Sequence, residues 1–207
     1  MTNNYYNLHA EQYFNETILL PMDDVIARFL QRIPEDAKIL DLGCGSGRDS
    51  LYFIEKGFSV TAIDGSEALA KRASQLIGQD VLVQDFRALS LPSEFDGIWA
   101  CASLLHLPKK DMLPVLHYLK AHLSPNGIFF ASFKAKSNAK AKAKSEEIMF
   151  ADEGVDSRGR FFAYYEMDEL IAVFQQAGFQ VVEQWQECKP LRESMQSWLN
   201  VIVTHAN

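Results

Sequence analysis

Asp41-Leu42-Gly43-Cys44-Gly45-Ser46-Gly47-Arg48-Asp49 is the stretch on which the fold turns. Three glycines at alternate positions follow KILDL (38–42), which reads as a buried strand, and lead into a helical pattern from Arg48 to Lys56 that Gly57 stops. Glycine there lets the backbone turn sharply and lets a ligand touch the main chain without meeting a Cβ. Outward from this turn, strands and helices alternate. SVTAID (59–64) reads as a second strand, and a helix opens at Ser66, a natural N-cap, and ends near Gly78. VLVQ (81–84), FDGIWACAS (95–103) and GIFFASFK (127–134) read as the next three strands. The helix before the last of them runs from Lys109 or Asp111 to His122, and Pro114 kinks it unless it falls in the first turn. This rhythm predicts a parallel sheet with right-handed crossovers and helices on both faces. Later, Met167, Leu170, Ile171, Phe174 and Ala177 recur at helical spacing up to Gly178. FQVVEQW (179–185) and SWLNVIVTH (197–205), joined by a short polar connector, are then expected to pair antiparallel.

The chain has 207 residues, is 48% hydrophobic and carries a formal charge of −7, which suits a single domain over 1–207 with a sizeable core and excludes disorder. Cys44, Cys101 and Cys188 are odd in number and far apart, so neither a disulfide framework nor a metal site is expected, and the setting expected is cytoplasmic. No signal peptide and no membrane span are visible. The negative charge disfavours nucleic acid as a partner and leaves monomer and homodimer both open.

The details of the turn bear on its ligand. A dinucleotide fingerprint needs glycine at position 48, which is Arg48, and Asp41 at the strand end would oppose a diphosphate. An anion suits a ligand with a positive end, and S-adenosylmethionine carries an ammonium and a sulfonium but no phosphate. Asp64 ends the second strand, where a carboxylate can accept both ribose hydroxyls of an adenosine. Asp85 can accept from the adenine amino group, with Phe86 against the ring. Strand-end aspartates also cap helices and turns, a reading that stays open for Asp64 and Asp85.

DLGCGSG (41–47), TAIDGS (61–66), VQDF (83–86), FDGIWA (95–100) and LSPNGIFFAS (123–132) together resemble the class I S-adenosylmethionine-dependent methyltransferases, from about Ala37 to Val203. ILDLGCGSGRDSLYFIEKGFSVTAID is most similar to the tellurite-resistance-type small-molecule methyltransferases. The resemblance implies a single-domain, Rossmann-like α/β fold whose seven-stranded sheet ends in an antiparallel strand. It implies that Asp41 and the turn Gly43, Cys44, Gly45, Gly47 and Arg48 cradle the methionine end. Asp64 with Gly65 and Ser66 would hold the ribose, Asp85 and Phe86 the adenine, and Ser103 and Leu104 the methyl channel. The implied reaction moves a methyl group to a small-molecule acceptor, an oxyanion or a metalloid such as tellurite included, and leaves S-adenosylhomocysteine.

Methyl transfer from a sulfonium is an in-line displacement with an activated donor, so alignment and exclusion of water come first. A base is needed only when the acceptor loses a proton. His106 is the candidate for it, against a helix-orienting role. Tyr13, with Tyr5 and Tyr6, lies in a segment (1–35) that resembles the N-terminal helical lid of some relatives, against plain packing. Arg160 and Tyr165 fall in an insertion (134–166) expected to cap the acceptor side, Arg160 either clamping an oxyanion or making a surface ion pair. KAKSNAKAKAKSEE (134–147) is either a solvated segment or a basic lid. Three competing functions are a nucleic-acid methyltransferase, a non-catalytic S-adenosylmethionine-binding module and a nicotinamide oxidoreductase. Against the first, Cys101-Ala102-Ser103-Leu104 stands where amino-methylating enzymes carry Asn/Asp-Pro-Pro-Tyr/Phe.

Overall fold

In the computed structural model, which describes residues 2–136, 152–191 and 194–206, parallel pairing around the glycine turn organises the chain. Strand β1 (Lys38–Leu42) lies between β2 (Ser59–Asp64) and β4 (Phe95–Ala100), parallel to both. β3 (Leu82–Val83) flanks β2, and β5 (Leu123–Lys134) flanks β4. β9 (Ser194–His205) runs antiparallel to β5 and to β8 (Phe179–Leu191), which completes the order β3-β2-β1-β4-β5-β9-β8. The last strand is antiparallel, as expected. The connections diverge on either side of β1 and β4, and such a switch point opens a crevice at the carboxyl ends of the strands.

Side-chain alternation divides the core between the two faces. Leu40 and Leu42 join Met112 and Val115 of α6 (Lys109–Ala121) and Leu170 and Phe174 of α7 (Met167–Gln176). Ile39 joins Phe29 of α3 (Asp23–Leu30), Phe53 of α4 (Arg48–Glu55) and Ala73 of α5 (Glu67–Ile77) on the other face. Within 1–35, therefore, α3 belongs to the core. Only α1 (Thr2–Leu8) and α2 (Ala10–Thr17) lie over the sheet edge, where Tyr6 and Ala10 pack on Leu69 of α5.

Several elements differ in extent from their sequence patterns. The fourth strand stops at Ala100 because Ala102 turns through φ +52° and gives its N–H to Ser132 Oγ (2.8 Å) instead of to a strand. Only Leu82 and Val83 of VLVQ pair, while β5 starts early because Leu123 pairs with Phe95. Pro114 is the sixth residue of α6, beyond its first turn, and helical assignment continues to Ala121. The polar connector before Ser197 is itself paired, up to Leu191 with Ser194, and Pro190 is tolerated because β8 is an edge strand. In the insertion, β6 (Glu153–Val155) and β7 (Phe161–Ala163) form an antiparallel pair. Of the lysine-rich segment 134–147, residues 137–147 lie outside the described residues. Among the described residues, no helix is long and apolar enough to cross a membrane.

Candidate active site

After β1 the chain passes through Gly43 (φ +82°) and Gly45 (φ +55°), left-handed conformations that favour glycine. The N–H groups of Gly43 and Cys44 both donate to the Ile63 carbonyl (2.8 and 2.9 Å), which ties the turn to β2. A Cβ on Gly43 would lie 2.4 Å from Ser103 Cβ. Beside this bare main chain is a cavity of about 490 Å³. Asp64 and Gly65 border it at the end of β2, Asp85 and Phe86 beyond β3, and Ser103 and His106 beyond β4. Thr2, Asn3, Tyr6 and Tyr13 close it from α1 and α2.

Asp64 caps the turn after β2 and also borders the cavity. Its carboxylate accepts the N–H groups of Gly45 (2.9 Å) and Ser66 (2.8 Å), and it still borders the cavity with lone pairs to spare. Burial raises its pKa against the opposing effect of those N–H groups. Asp85 caps the short 3₁₀ turn Phe86–Ala88 and pairs with the Arg87 guanidinium (2.6 Å), whose hydrogen bond holds the carboxyl below its usual range. Among the described residues, the charged side chains lining the cavity are thus two carboxylates, Asp64 and Asp85, and one guanidinium, Arg87. The hydroxyl of Ser103 is buried in the wall and has no hydrogen-bond partner among the described residues.

Other expected ligand residues stand behind the turn. Asp41 shares a face of β1 with Ile39, so its carboxylate points under the turn and accepts from Ser50 Oγ (2.6 Å). Burial first, then the charge of Asp49, pushes its pKa up to about 8. Arg48 folds back onto Asp49 (2.6 Å), which also accepts from Trp99 Nε1 (2.9 Å). Cys44 packs in the core, and burial raises its thiol pKa. Gly47 (φ +81°) faces Ala73, because a Cβ there would come within 3.1 Å of that side chain. Ser66 caps α5 by accepting the Leu69 N–H (3.2 Å) and donates to Asn7 Oδ1 (2.7 Å). Leu104 is wholly buried in the core.

On the far wall, His106 donates Nδ1–H to the Phe161 carbonyl (2.6 Å), so Nε2 accepts the Tyr6 hydroxyl (2.9 Å). Burial pushes the His106 pKa down to about 4 and the Tyr6 pKa up to about 12, so both are neutral near pH 7. Tyr13 lies across Gly45, its ring 3.1 Å from where a Cβ would stand. Arg160 does not line the cavity; its guanidinium is bonded to Asp156 (2.6 Å). Tyr165 is buried in the core and borders a separate cavity of about 200 Å³.

Residues 11–184 match a family model described as a methyltransferase domain. The chain belongs to this methyltransferase-domain family. It is 30% identical over 154 residues to the putative methyltransferase YqeM of Bacillus subtilis, covering 71% of this chain and 62% of that protein. It is 27% identical over 101 residues to the probable S-adenosyl-L-methionine-dependent methyltransferase TehB of Haemophilus influenzae, covering 46% and 35%. The match to each of these two relatives spans less than two thirds of the relative's length. Two solved structures share the fold. A methyltransferase from Methanosarcina mazei superposes with TM-score 0.77 at 20% identity, covering 90% of this chain and 99% of its own. The 1,6-didemethyltoxoflavin-N1-methyltransferase of Burkholderia thailandensis, solved with S-adenosylhomocysteine, gives 0.73 at 22%, covering 99% and 85%.

Asn3 and Arg87, which motif reading passed over, also line the cavity. Asn3, Tyr6, Ala10 and Tyr13 recur at helical spacing, and that periodicity was the available signal for the α1–α2 cover. Arg87 gave no such signal, since only the turn that Asp85 caps brings it to the cavity.

Proposed function

We propose that the domain binds S-adenosylmethionine over the glycine turn and transfers its methyl group to a small-molecule acceptor. The observation that carries this reading is Asp64: a carboxylate bordering the cavity, fixed by main-chain N–H groups next to the bare backbone of Gly43 and Gly45. Two carboxylates against one guanidinium favour a cationic ligand with a sugar diol over a diphosphate. Asp64 with Gly65 takes the ribose, Asp85 and Phe86 the adenine, and the main chain at Gly43 and Gly45 the methionine end. Asp41, Cys44, Gly47, Arg48, Ser66 and Leu104 support that surface from behind.

When bound, the donor supplies a methyl carbon on a positively charged sulfur, already activated for displacement. The chain's part is to hold the acceptor in line and keep water out, which α1 and α2 do by covering the cavity. Where the acceptor carries a proton, His106 takes it through the Tyr6 hydroxyl bonded to Nε2. The similarity of ILDLGCGSGRDSLYFIEKGFSVTAID to the tellurite-resistance-type enzymes supports an oxyanion or a metalloid such as tellurite among the acceptors. Free cysteines at 44, 101 and 188 fit a reducing, cytoplasmic setting.

Calorimetry with S-adenosylmethionine, S-adenosylhomocysteine and NADH tests the donor assignment. Asp64→Ala and Gly45→Val are each expected to weaken donor binding at least about tenfold, roughly 1.4 kcal/mol. Unchanged affinity in both variants, or binding of NADH alone, overturns it.

A further inference from the structure

Phe162 gathers three groups beside the cavity. The His106 ring lies 4.7 Å from it between centroids, Lys134 Nζ stands 3.8 Å over its centroid, and Arg160 Cζ lies 5.1 Å from the same point. Lys134 ends β5 and Arg160 precedes β7, so the insertion folds back to bring the two cations together. Asp156 is already engaged: it accepts from Arg160 Nε (2.9 Å) and Nη2 (2.6 Å) and from the N–H groups of Arg158 and Arg160. Lys134 has no ion pair among the described residues, and its part-buried ammonium rests on a ring face. Among the described residues these two cations share one acid, Asp156, so one of the positive charges has no ion-pair partner there. Desolvation first, then Arg160, brings the Lys134 pKa down to about 8. A part-buried cation without a counter-charge is costly, and a bound anion removes that cost. The cluster adjoins the cavity through Tyr6 and His106, which line it; Arg160 is close enough to the Tyr6 hydroxyl to lower its pKa.

We propose that Lys134 and Arg160 form an anion subsite for the methyl acceptor, which therefore bears one oxyanionic group, carboxylate or inorganic, with its nucleophilic atom toward His106. This rests on the donor reading of the adjacent cavity. Lys134 acts here as a specificity residue: it selects the acceptor's charge and takes no part in breaking the carbon–sulfur bond.

The test uses the full chain with matched probes: hydroxybenzoates against hydroxybenzamides, nicotinate against nicotinamide, and tellurite and selenite as inorganic anions. Acetylation of Lys134 by an N-hydroxysuccinimide ester, mapped by peptide mass spectrometry, is expected to slow about tenfold with an anion and not with the matching amide. Protection by tellurite or selenite alone also supports the subsite and assigns the inorganic source. Equal protection by acid and amide, or none by any anion, overturns it. In turnover, Lys134→Gln is expected to raise KM for the methylated anion about tenfold, with Lys134→Arg restoring most of it. An unchanged KM overturns the proposal. A loss of donor affinity in Lys134→Gln does so too, by assigning the cation to the donor's own carboxylate. Failure of the wild-type chain to bind S-adenosylhomocysteine removes the donor reading instead, and the acetylation assay without it still decides the anion site.

Discussion

Beneath the glycine turn, Asp41 and Asp49 are held by side chains, those of Ser50, Arg48 and Trp99. Above it, Asp64 is held by the N–H groups of Gly45 and Ser66 and borders the cavity. Asp41 and Asp64 close neighbouring parallel strands, yet only one meets the cavity. Position along the strands decides this, not the face. Asp41 pairs with Ala62, which shares a face with Asp64, but Asp64 stands one residue beyond Ile63, the partner of the last residue of β1, and so reaches the rim while Asp41 stays below it. Main-chain donors also hold Asp64 independently of its neighbours' identities, whereas the acids below depend on three particular side chains.

The largest effect should come from removing the turn on which both sides depend. Gly43→Ala puts a Cβ 2.4 Å from Ser103 Cβ at a φ of +82°. We expect a loss of about 1–3 kcal/mol in stability from crowding and donor binding below detection. Thermal unfolding and calorimetry measure both. Wild-type donor affinity in Gly43→Ala would mean that the bare main chain is not what the ligand meets.

Asp41→Asn separates floor from rim. A carboxyl whose folded pKa is about 8 binds its proton more tightly folded than unfolded, so its contribution to stability is present below pH 4 and declines as pH rises toward 8. The wild-type melting temperature should fall over that window, and Asp41→Asn should flatten the slope and be the more stable above pH 8. Donor affinity should stay within about twofold, a change of under half a kcal/mol. A large loss would place Asp41 in the site after all.

What the sequence shows clearly here is whatever main-chain geometry repeats: the glycine turn, the Ser66 cap, the Gly78 and Gly178 stops and the β-α alternation all mark local backbone needs. What it hides is set by distant partners. Ala102 leaves the fourth strand because Ser132, 30 residues away, accepts its N–H. Arg160 meets Asp156 within its own loop, while the rings around it come from Tyr5 and Phe162. The floor network was hidden for the same reason, since nothing near Asp41 in the chain announces Trp99.

The smallest effect concerns the cover, and it tests whether the cavity's openness is controlled apart from its walls. The buried Ser66 hydroxyl does two things: it accepts the Leu69 N–H as the cap of α5, and it donates to Asn7 Oδ1 on α1. Ser66→Ala removes both and should cost about 1 kcal/mol, the usual worth of such a cap. Asn7→Ala keeps the Ser66 cap and removes the two bonds that tie α5 to α1, from Ser66 Oγ (2.7 Å) and from the exposed Ala68 N–H (3.2 Å), so it should cost about 1 kcal/mol or less. If α1 and α2 cover the bound donor, Asn7→Ala should speed donor release in stopped-flow measurements despite its small effect on melting temperature. An unchanged release rate would leave α1 a packing element that happens to lie over the turn, and the rim would then control the ligand alone.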